Sequence, residues 1–277
     1  MRARMKYKMI KRFSALVLVV VAQASLPAAH AQILSRGDLF GPGAPPPMAG
    51  IEIGLGQHAE MGNLLCDCGS TFTGGTGKGF LGQIFFELPL DYEWAIGIKG
   101  GIDFKNFSTT TSNNEVVDVQ LPDSGNETAR VYDLNTANIK ATYIDFAPYA
   151  QYQFYRMGPF VQAGLDIGFL TANSLTQNRE LPSGTTVPAE NGNPAINNVT
   201  FTNGTLTQVI QSGPNEASSL RLGLLLSAGY NIQVSERSIF SPLLTYDFPL
   251  TAAGNVPGSN WKIGSLYASA LIKFQLN

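Results

Sequence analysis

Hydrophobic and polar residues alternate with a period of two along eight segments of this chain. Successive side chains of a β-strand point to opposite faces, so the alternation predicts strands with one apolar and one polar face. In the third segment, Trp94, Ile96 and Ile98 share one face, and Lys99 and Asp103 share the other. The eight predicted strands are 49–57, 79–88, 93–106, 142–155, 159–171, 218–232, 238–249 and 263–276.

The connections between these strands alternate between long and short. An up-and-down barrel in a bacterial outer membrane has short periplasmic turns and long outer loops, and an even strand number leaves both termini in the periplasm. The predicted fold is therefore all-β, an eight-stranded antiparallel up-and-down transmembrane β-barrel with long extracellular loops. The short connections lie near 89–92, 156–158 and 234–237, and the longer ones span 58–78, 107–141, 172–217 and 250–262.

The alternative is a soluble lipocalin-like barrel with the apolar faces inside. The polar faces consist largely of Gly, Ala and Ser with isolated charges, which suits a narrow lumen better than a water-facing surface. Aromatic residues of the apolar faces also gather near strand ends, as in the two girdles of a membrane barrel. The predicted girdles are Phe86, Trp94, Phe154, Tyr230, Phe240 and Phe274 at the periplasmic end, and Phe80, Phe104, Phe146, Phe169 and Phe248 at the outer end.

Two prolines occupy lipid-facing positions inside predicted strands. Pro148 lies in 142–155 and Pro242 in 238–249. Proline cannot donate a ladder hydrogen bond, so each position predicts a local bulge or a missing bond.

The N-terminus predicts export. Six basic residues precede the apolar run Ala15–Ala22 and the cleavage site Ala29-His30-Ala31, so residues 1–31 are interpreted as a signal peptide. Residues 32–48 form a Pro-rich periplasmic segment, and 49–277 form the barrel. Without the leader, the chain has 12 basic and 20 acidic residues, which gives a net charge of −8. Nucleic acid is a poor partner for such a chain, because phosphate contacts need clustered Lys and Arg.

The inward positions carry charges of both signs. Charges that face a narrow lumen are costly unless they are paired and hydrogen-bonded. The pattern favours a salt-bridge network that plugs the barrel, and the alternative is a proton or ion path. The predicted network is Glu52, Glu87, Lys99, Asp103, Lys105, Asp145, Asp166, Arg221, Asp247 and Lys273.

Other candidate chemistry is sparse. Cys66 and Cys68 lie in an outer loop of an exported chain, which indicates either a strained disulfide or two free thiols rather than a metal site. His58 is the single histidine after the leader and is interpreted as a solvated side chain at a loop base, with a lipid A-modifying enzyme as the alternative. The loop at 74–79 lacks the Gly and Ser/Thr positions of a phosphate loop. No metal, cofactor or catalytic residue is predicted.

The hairpin 143–164 carries a family resemblance. Tyr143-Ile144-Asp145-Phe146-Ala147-Pro148-Tyr149-Ala150-Gln151-Tyr152-Gln153-Phe154, followed by Gly158-Pro159-Phe160-Val161-Gln162-Ala163-Gly164, resembles the central hairpin of the PorT-like bacterial outer-membrane β-barrel proteins. The resemblance implies an outer-membrane barrel of mostly unassigned function and carries no catalytic residues across. The chain ends on Phe274-Gln275-Leu276-Asn277, so the usual assembly signal is displaced by three residues.

The sequence therefore predicts a non-enzymatic protein of the cell outer membrane in a Gram-negative bacterium, with an envelope-structural role or a role in contacts through its loops. Its expected partners are outer-membrane lipid and lipopolysaccharide, the barrel insertion machinery, and an extracellular ligand that the sequence does not identify. The alternatives are a narrow channel for small solutes and the lipid A-modifying enzyme.

Overall fold

A computed structural model describes residues 45–65, 71–121, 125–155, 157–183, 199–213, 217–254 and 260–276. Residues Pro46–Asn277 form one compact unit. The predicted signal peptide, most of the Pro-rich segment 32–48, and both Cys66 and Cys68 lie outside the described residues. Within the described residues, no helix is long and apolar enough to cross a membrane.

Twelve strands form in the described part of the chain, and eight of them close into an antiparallel ring. The order around the ring is β1, β4, β5, β6, β7, β10, β11 and β12, and β12 returns to β1 from Met48↔Gln275 to Met61↔Lys262. The eight-stranded prediction is confirmed. The strands are β1 (Met48–Met61), β2 (Leu64–Leu65), β3 (Thr71–Phe72), β4 (Thr76–Pro89), β5 (Trp94–Leu121), β6 (Gly125–Gln153), β7 (Gly158–Glu180), β8 (Thr200–Phe201), β9 (Thr207–Gly213), β10 (Leu220–Ser235), β11 (Ser238–Pro249) and β12 (Lys262–Gln275).

The short connections lie where the alternation placed them, but the loop prediction for 107–141 is wrong. β5 and β6 stay paired from Trp94↔Tyr152 to Leu121↔Gly125, so this region is a continuous hairpin. About ten residues suffice for a strand to cross a membrane. At roughly 3.4 Å per residue, the hairpin continues about 50 Å beyond the level of Lys105.

The predicted loop 172–217 is also partly strand. β7 continues to Glu180, and β9 pairs with it from Leu175↔Gly213 to Glu180↔Thr207. β8 pairs with β5 at Val119↔Phe201. The outer extension is therefore a sheet with the strand order β8, β5, β6, β7 and β9, which we call the protruding sheet.

Two apolar clusters support this outer half. The first lies at the base of the protruding sheet and includes Phe107 and Trp261, whose ring centroids are 5.5 Å apart. The second lies farther out on the sheet's inner face. It joins strand residues Val117, Val119, Ala129 and Val131 to Leu181, Val199 and Phe201.

Both prolines interrupt a ladder, as predicted. The β6–β7 pairing passes from Phe146↔Ile167 to Tyr149↔Gly164 without a pair at Pro148, and the register is unchanged. The β10–β11 pairing likewise passes from Gly229↔Leu243 to Ile232↔Phe240, across Pro242. The interruptions are missing ladder bonds rather than bulges, because proline has no N–H to donate.

Candidate functional site

The two faces of the barrel follow the sequence pattern. The eleven predicted girdle residues all point outward, with exposed fractions between 36% for Phe240 and 50% for Phe154. At the end of the protruding sheet, Phe80 lies 6.4 Å from Phe104 between ring centroids, and Phe146 lies 6.2 Å from Phe169. At the end of the short turns, Trp94 lies 5.0 Å from Tyr152, an outward aromatic that the sequence analysis did not single out.

The ten charged residues predicted for the lumen all point inward. Each is at most 4% exposed, with Lys99 the most accessible. Six carboxylates and four cations therefore share a narrow interior. The structure divides them into two hydrogen-bonded groups, which we call the lower and the upper network.

The lower network lies toward the short turns. Lys273 Nζ donates to Glu87 Oε2 at 3.0 Å, and Lys99 Nζ donates to Glu52 Oε2 at 2.8 Å. Two glutamines join these pairs. Gln162 accepts from Lys99 at 3.0 Å and donates to Gln151 at 2.9 Å, and Gln151 in turn accepts from Lys273 at 3.3 Å.

The upper network is centred on Arg221 and Lys105. Arg221 donates to Asp166 and to Asp247, and its Nη2 lies 3.6 Å from Asp145. Lys105 Nζ lies 2.8 Å from Asp103 and 3.1 Å from Asp247. The guanidinium group of Arg221 thus bridges carboxylates from three strands, as its fixed fork of donors allows.

Neutral side chains also belong to both networks, and the sequence pattern alone did not single them out. Tyr267 accepts from Lys105 and donates to Asp103 at 2.6 Å, while Tyr149 donates to Glu87 at 3.0 Å. Together with Gln151 and Gln162, these residues occupy inward positions of strands that the alternation had already defined. Their inward positions in the alternation could have identified them, because polar side chains inside a barrel need hydrogen-bond partners.

His58 belongs to the upper network, so its prediction as a solvated loop-base residue is wrong. Its ring is fully buried, and its Nδ1 lies 2.9 Å from Ser265 Oγ, which also accepts from Lys105 at 2.7 Å. Gly79 leaves room for the ring, since a Cβ at Gly79 would lie 2.1 Å from His58 Nε2. The predicted end of the first strand at residue 57 caused the error, because β1 continues to Met61.

Glu60 lies beyond the upper network, at the base of the protruding sheet. It is buried, and its Oε2 accepts from the Gly75 N–H at 2.8 Å. Burial raises the pKa of Glu60 above its ordinary value because it disfavours the charged form.

Apolar layers also fill the lumen. Phe85, Phe160, Leu243 and Leu271 form a buried cluster at the level of the lower network. The Nζ of Lys273 lies 5.0 Å from the Phe160 ring centroid, so this cluster contacts the lower network. On the outer side, the cluster around Phe107 and Trp261 covers the upper network.

This arrangement is suited to holding strands together. Among the described residues, no group of three or more His, Cys, Asp or Glu side chains is placed to hold a metal. The ion pairs link strands far apart in sequence, such as β5 to β11 through Lys105 and Asp247. Buried ion pairs of this kind fix the relative positions of the strands that carry them.

Comparison with known proteins identifies the barrel. Residues 50–253 match the sequence profile of the family described as outer membrane protein beta-barrel domain. No curated protein matches the chain significantly.

Several solved structures are similar to this chain at low identity. The attachment invasion locus protein of Yersinia pestis, in complex with the heparin analogue sucrose octasulfate, is 12% identical with a TM-score of 0.31, covering 83% of this chain and 99% of its own. Neisserial surface protein A is 10% identical with a TM-score of 0.30, covering 82% and 97%. The Escherichia coli outer membrane protease OmpT is 10% identical with a TM-score of 0.30, covering 83% and 97%.

Proposed function

This chain belongs to the outer membrane protein beta-barrel domain family, and from that premise we propose a non-conducting, non-enzymatic barrel that makes contacts outside the cell through its protruding sheet. The protein is located in the cell outer membrane, and its strands cross that membrane. The outward apolar band is suited to contact with outer-membrane lipid and lipopolysaccharide, and the barrel insertion machinery is its expected assembly partner.

The burial of the lumen charges is the observation that carries this proposal. A water-filled pore leaves its lining side chains accessible to water, yet each of the ten charged residues is at most 4% exposed. An eight-stranded barrel has an interior just wide enough for side chains to fill. The two networks and the apolar layers beside them supply that filling, which supports a plug over a channel.

The position of His58 favours a non-enzymatic role. An acid–base residue must come within hydrogen-bond reach of its substrate. His58 is fully buried between Ser265 and the ring of Tyr267, whose centroid lies 5.8 Å from that of His58. A lipid substrate has no access to it in this conformation.

The protruding sheet supports the contact role. Its length of about 50 Å, at roughly 3.4 Å per residue, places it well outside the hydrocarbon layer. Strands of this length are not needed to span a membrane. On its outward face, Tyr132 is 69% exposed and Val116 is 56% exposed, which offers apolar anchors for a partner.

Conductance in planar bilayers tests the plug. We expect purified wild-type protein to show no steady conductance, because the paired charges exclude mobile ions. The exchange Lys99→Glu serves as the diagnostic variant, since Lys99 links Glu52 to Gln162. A stable wild-type pore whose ion selectivity changes with Lys99→Glu would favour the channel instead.

Lipid A mass spectrometry tests the enzymatic alternative on cells that express the protein. A modification that depends on the wild-type chain and disappears with His58→Ala would overturn the non-enzymatic role. An unchanged profile with both chains agrees with it.

A further inference from the structure

The outer part of β5 is paired on one side only. β4 accompanies β5 as far as Ser108, and β8 pairs with β5 again from Val119. The chain before β4 covers one further residue, since a Cβ at Gly75 would lie 2.9 Å from Thr109 Cβ. Among the described residues, no strand pairs with this side of β5 between those two points, while β6 stays paired on the other side. We call residues 110–118 of β5 the open edge.

The open edge lacks the features that usually protect such a strand. Native proteins blunt exposed edges with lysine, with proline or by keeping the edge strand short. Residues 110–118 contain neither lysine nor proline, and at roughly 3.4 Å per residue they extend for about 30 Å. A row of backbone N–H and C=O groups selects an extended polypeptide as its partner, because the new strand continues the hydrogen-bonded ladder.

The limits of the open edge suit pairing with a second copy of itself. Two identical edges that extend one sheet are related by a two-fold axis perpendicular to the sheet, and the two strands then run antiparallel. Opposed side chains in such a pair share a face, so the axis must pass through a residue. The central residue of the open edge is Asn114, and an axis there gives every residue of the open edge a partner.

The residues that this register brings together are compatible. The two acidic residues of the open edge avoid each other, since Asp118 lies opposite Thr110 and Glu115 lies opposite Asn113. Like charges directly opposite each other would have been destabilising. Asn114 lies opposite its own copy on the outward face, where it is exposed, and two amides in that position are able to hydrogen-bond.

The antiparallel direction decides where the second copy must be. The strands of the protruding sheet continue the barrel wall, so the perpendicular to the sheet lies roughly in the membrane plane. Rotation by half a turn about this axis inverts the barrel, which places the partner in an opposing outer membrane. Asn114 lies ten residues beyond Phe104 of the outer girdle, so at roughly 3.4 Å per residue the two girdles are at most about 70 Å apart. Leu121, at the end of the hairpin, then lies opposite Phe107 and stops short of the partner's membrane.

The other unprotected edge of the protruding sheet does not allow this arrangement. Val209 of β9 lies at the level of Thr110, to which it is connected through Asn178 and Thr136. The hairpin continues for 11 residues beyond that level, but only six residues separate it from Phe104. A pair centred on β9 would therefore drive the hairpin of each copy into the membrane of the other.

We propose that the open edge of β5 pairs with the same edge of a second copy in an opposing outer membrane, so that the protein links two cells. This inference rests on the proposed contact role of the protruding sheet and names its partner. The backbone ladder supplies the attraction, and many copies in each membrane add to it through multivalency.

Vesicle tethering with a charge exchange at the two-fold axis tests the proposal. Full-length wild-type protein is placed in two vesicle populations with donor or acceptor lipids, and energy transfer reports tethering. We expect wild-type vesicles to tether one another but not protein-free vesicles. Asn114→Asp in both populations, or Asn114→Lys in both, should weaken tethering about fivefold, because like charges then meet at the axis. Vesicles with Asn114→Asp mixed with vesicles with Asn114→Lys should recover it.

The matched control is Asn138→Asp. This residue is half-exposed on the same face but lies between β5 and β7, so wild-type tethering is expected. Heat-modifiable migration on gels verifies that each variant is folded. Electron cryotomography of tethered vesicles should show a gap of at most about 70 Å between the membranes.

Three results would overturn the proposal. Wild-type vesicles fail to tether, they tether equally well to protein-free vesicles, or both unmixed Asn114 variants tether as wild type does. The contact role of the protruding sheet would survive the first and third results, because it does not require this partner. Tethering by a variant that lacks residues 111–135 would contradict both, since that variant has no protruding hairpin.

Discussion

Single residues in the lumen determine how strongly this barrel resists unfolding. Lys99 and Glu52 lie 2.8 Å apart, with side chains 5% and 1% exposed. Taking two charges out of water is expensive, and their mutual attraction offsets that cost only when the geometry is good. Removal of one partner is therefore far more damaging than removal of both.

A double-mutant cycle tests this pair. We expect Lys99→Met alone to destabilise the protein by about 3–5 kcal/mol, because Glu52 is left buried without its cation. Lys99→Met with Glu52→Leu should recover most of that loss. Urea unfolding in lipid vesicles gives the free energies, with exposed Arg130→Met as the control variant. Additive losses in the double variant would contradict the coupling.

At the scale of secondary-structure elements, the sequence predicted which side chains of each strand point outward, but it did not predict how long the strands are. The alternation assigned strand faces because lipid-facing positions are strongly apolar. Beyond Phe104 the outward positions become Ser108, Thr110 and Ser112, so the outward hydrophobic signal stops while the ladder continues. A signal did remain on the inward side, where the buried apolar residues are all odd-numbered: Phe107, Val117, Val119, Ala129, Val131, Ala137 and Ile139.

The protruding part of the hairpin should be dispensable for the barrel. Residues 111–135 can be replaced by Asn-Gly, because Thr110 and Thr136 are paired across the hairpin and a two-residue turn suits adjacent strands. We expect this variant to show the heat-modifiable migration of a folded barrel, since the membrane ladder stays complete. Deletion of Gly100 alone is the contrasting variant, because it shifts β5 by one residue and turns its side chains to the wrong face. Loss of folding in the shortened variant would show that the barrel depends on the extension.

At the scale of the whole molecule, closure of the ring follows from what a membrane allows. Backbone groups in hydrocarbon must pair within the protein, so eight amphipathic strands with short turns at one end leave few arrangements other than a closed barrel. The lumen contacts were less accessible to prediction. The sequence placed Arg221 and Asp166 on inward faces, but their meeting depends on the stagger between β7 and β10, which the alternation does not specify. The role of Ser265 at His58 was hidden for the same reason.

The orientation of the whole barrel in the membrane predicts how the cost of a charge varies along one strand. Ile53 and Gln57 both lie on the outward face of β1, but Ile53 is in the middle of the apolar band and Gln57 is beyond it. Ile53→Arg should destabilise the protein by about 2–4 kcal/mol, as expected near the bilayer midplane, and Gln57→Arg by about 0–1 kcal/mol. Both free energies come from reversible unfolding in phospholipid vesicles. Equal costs at the two positions would contradict this depth, because only a hydrocarbon layer that ends between them penalises the first arginine and spares the second.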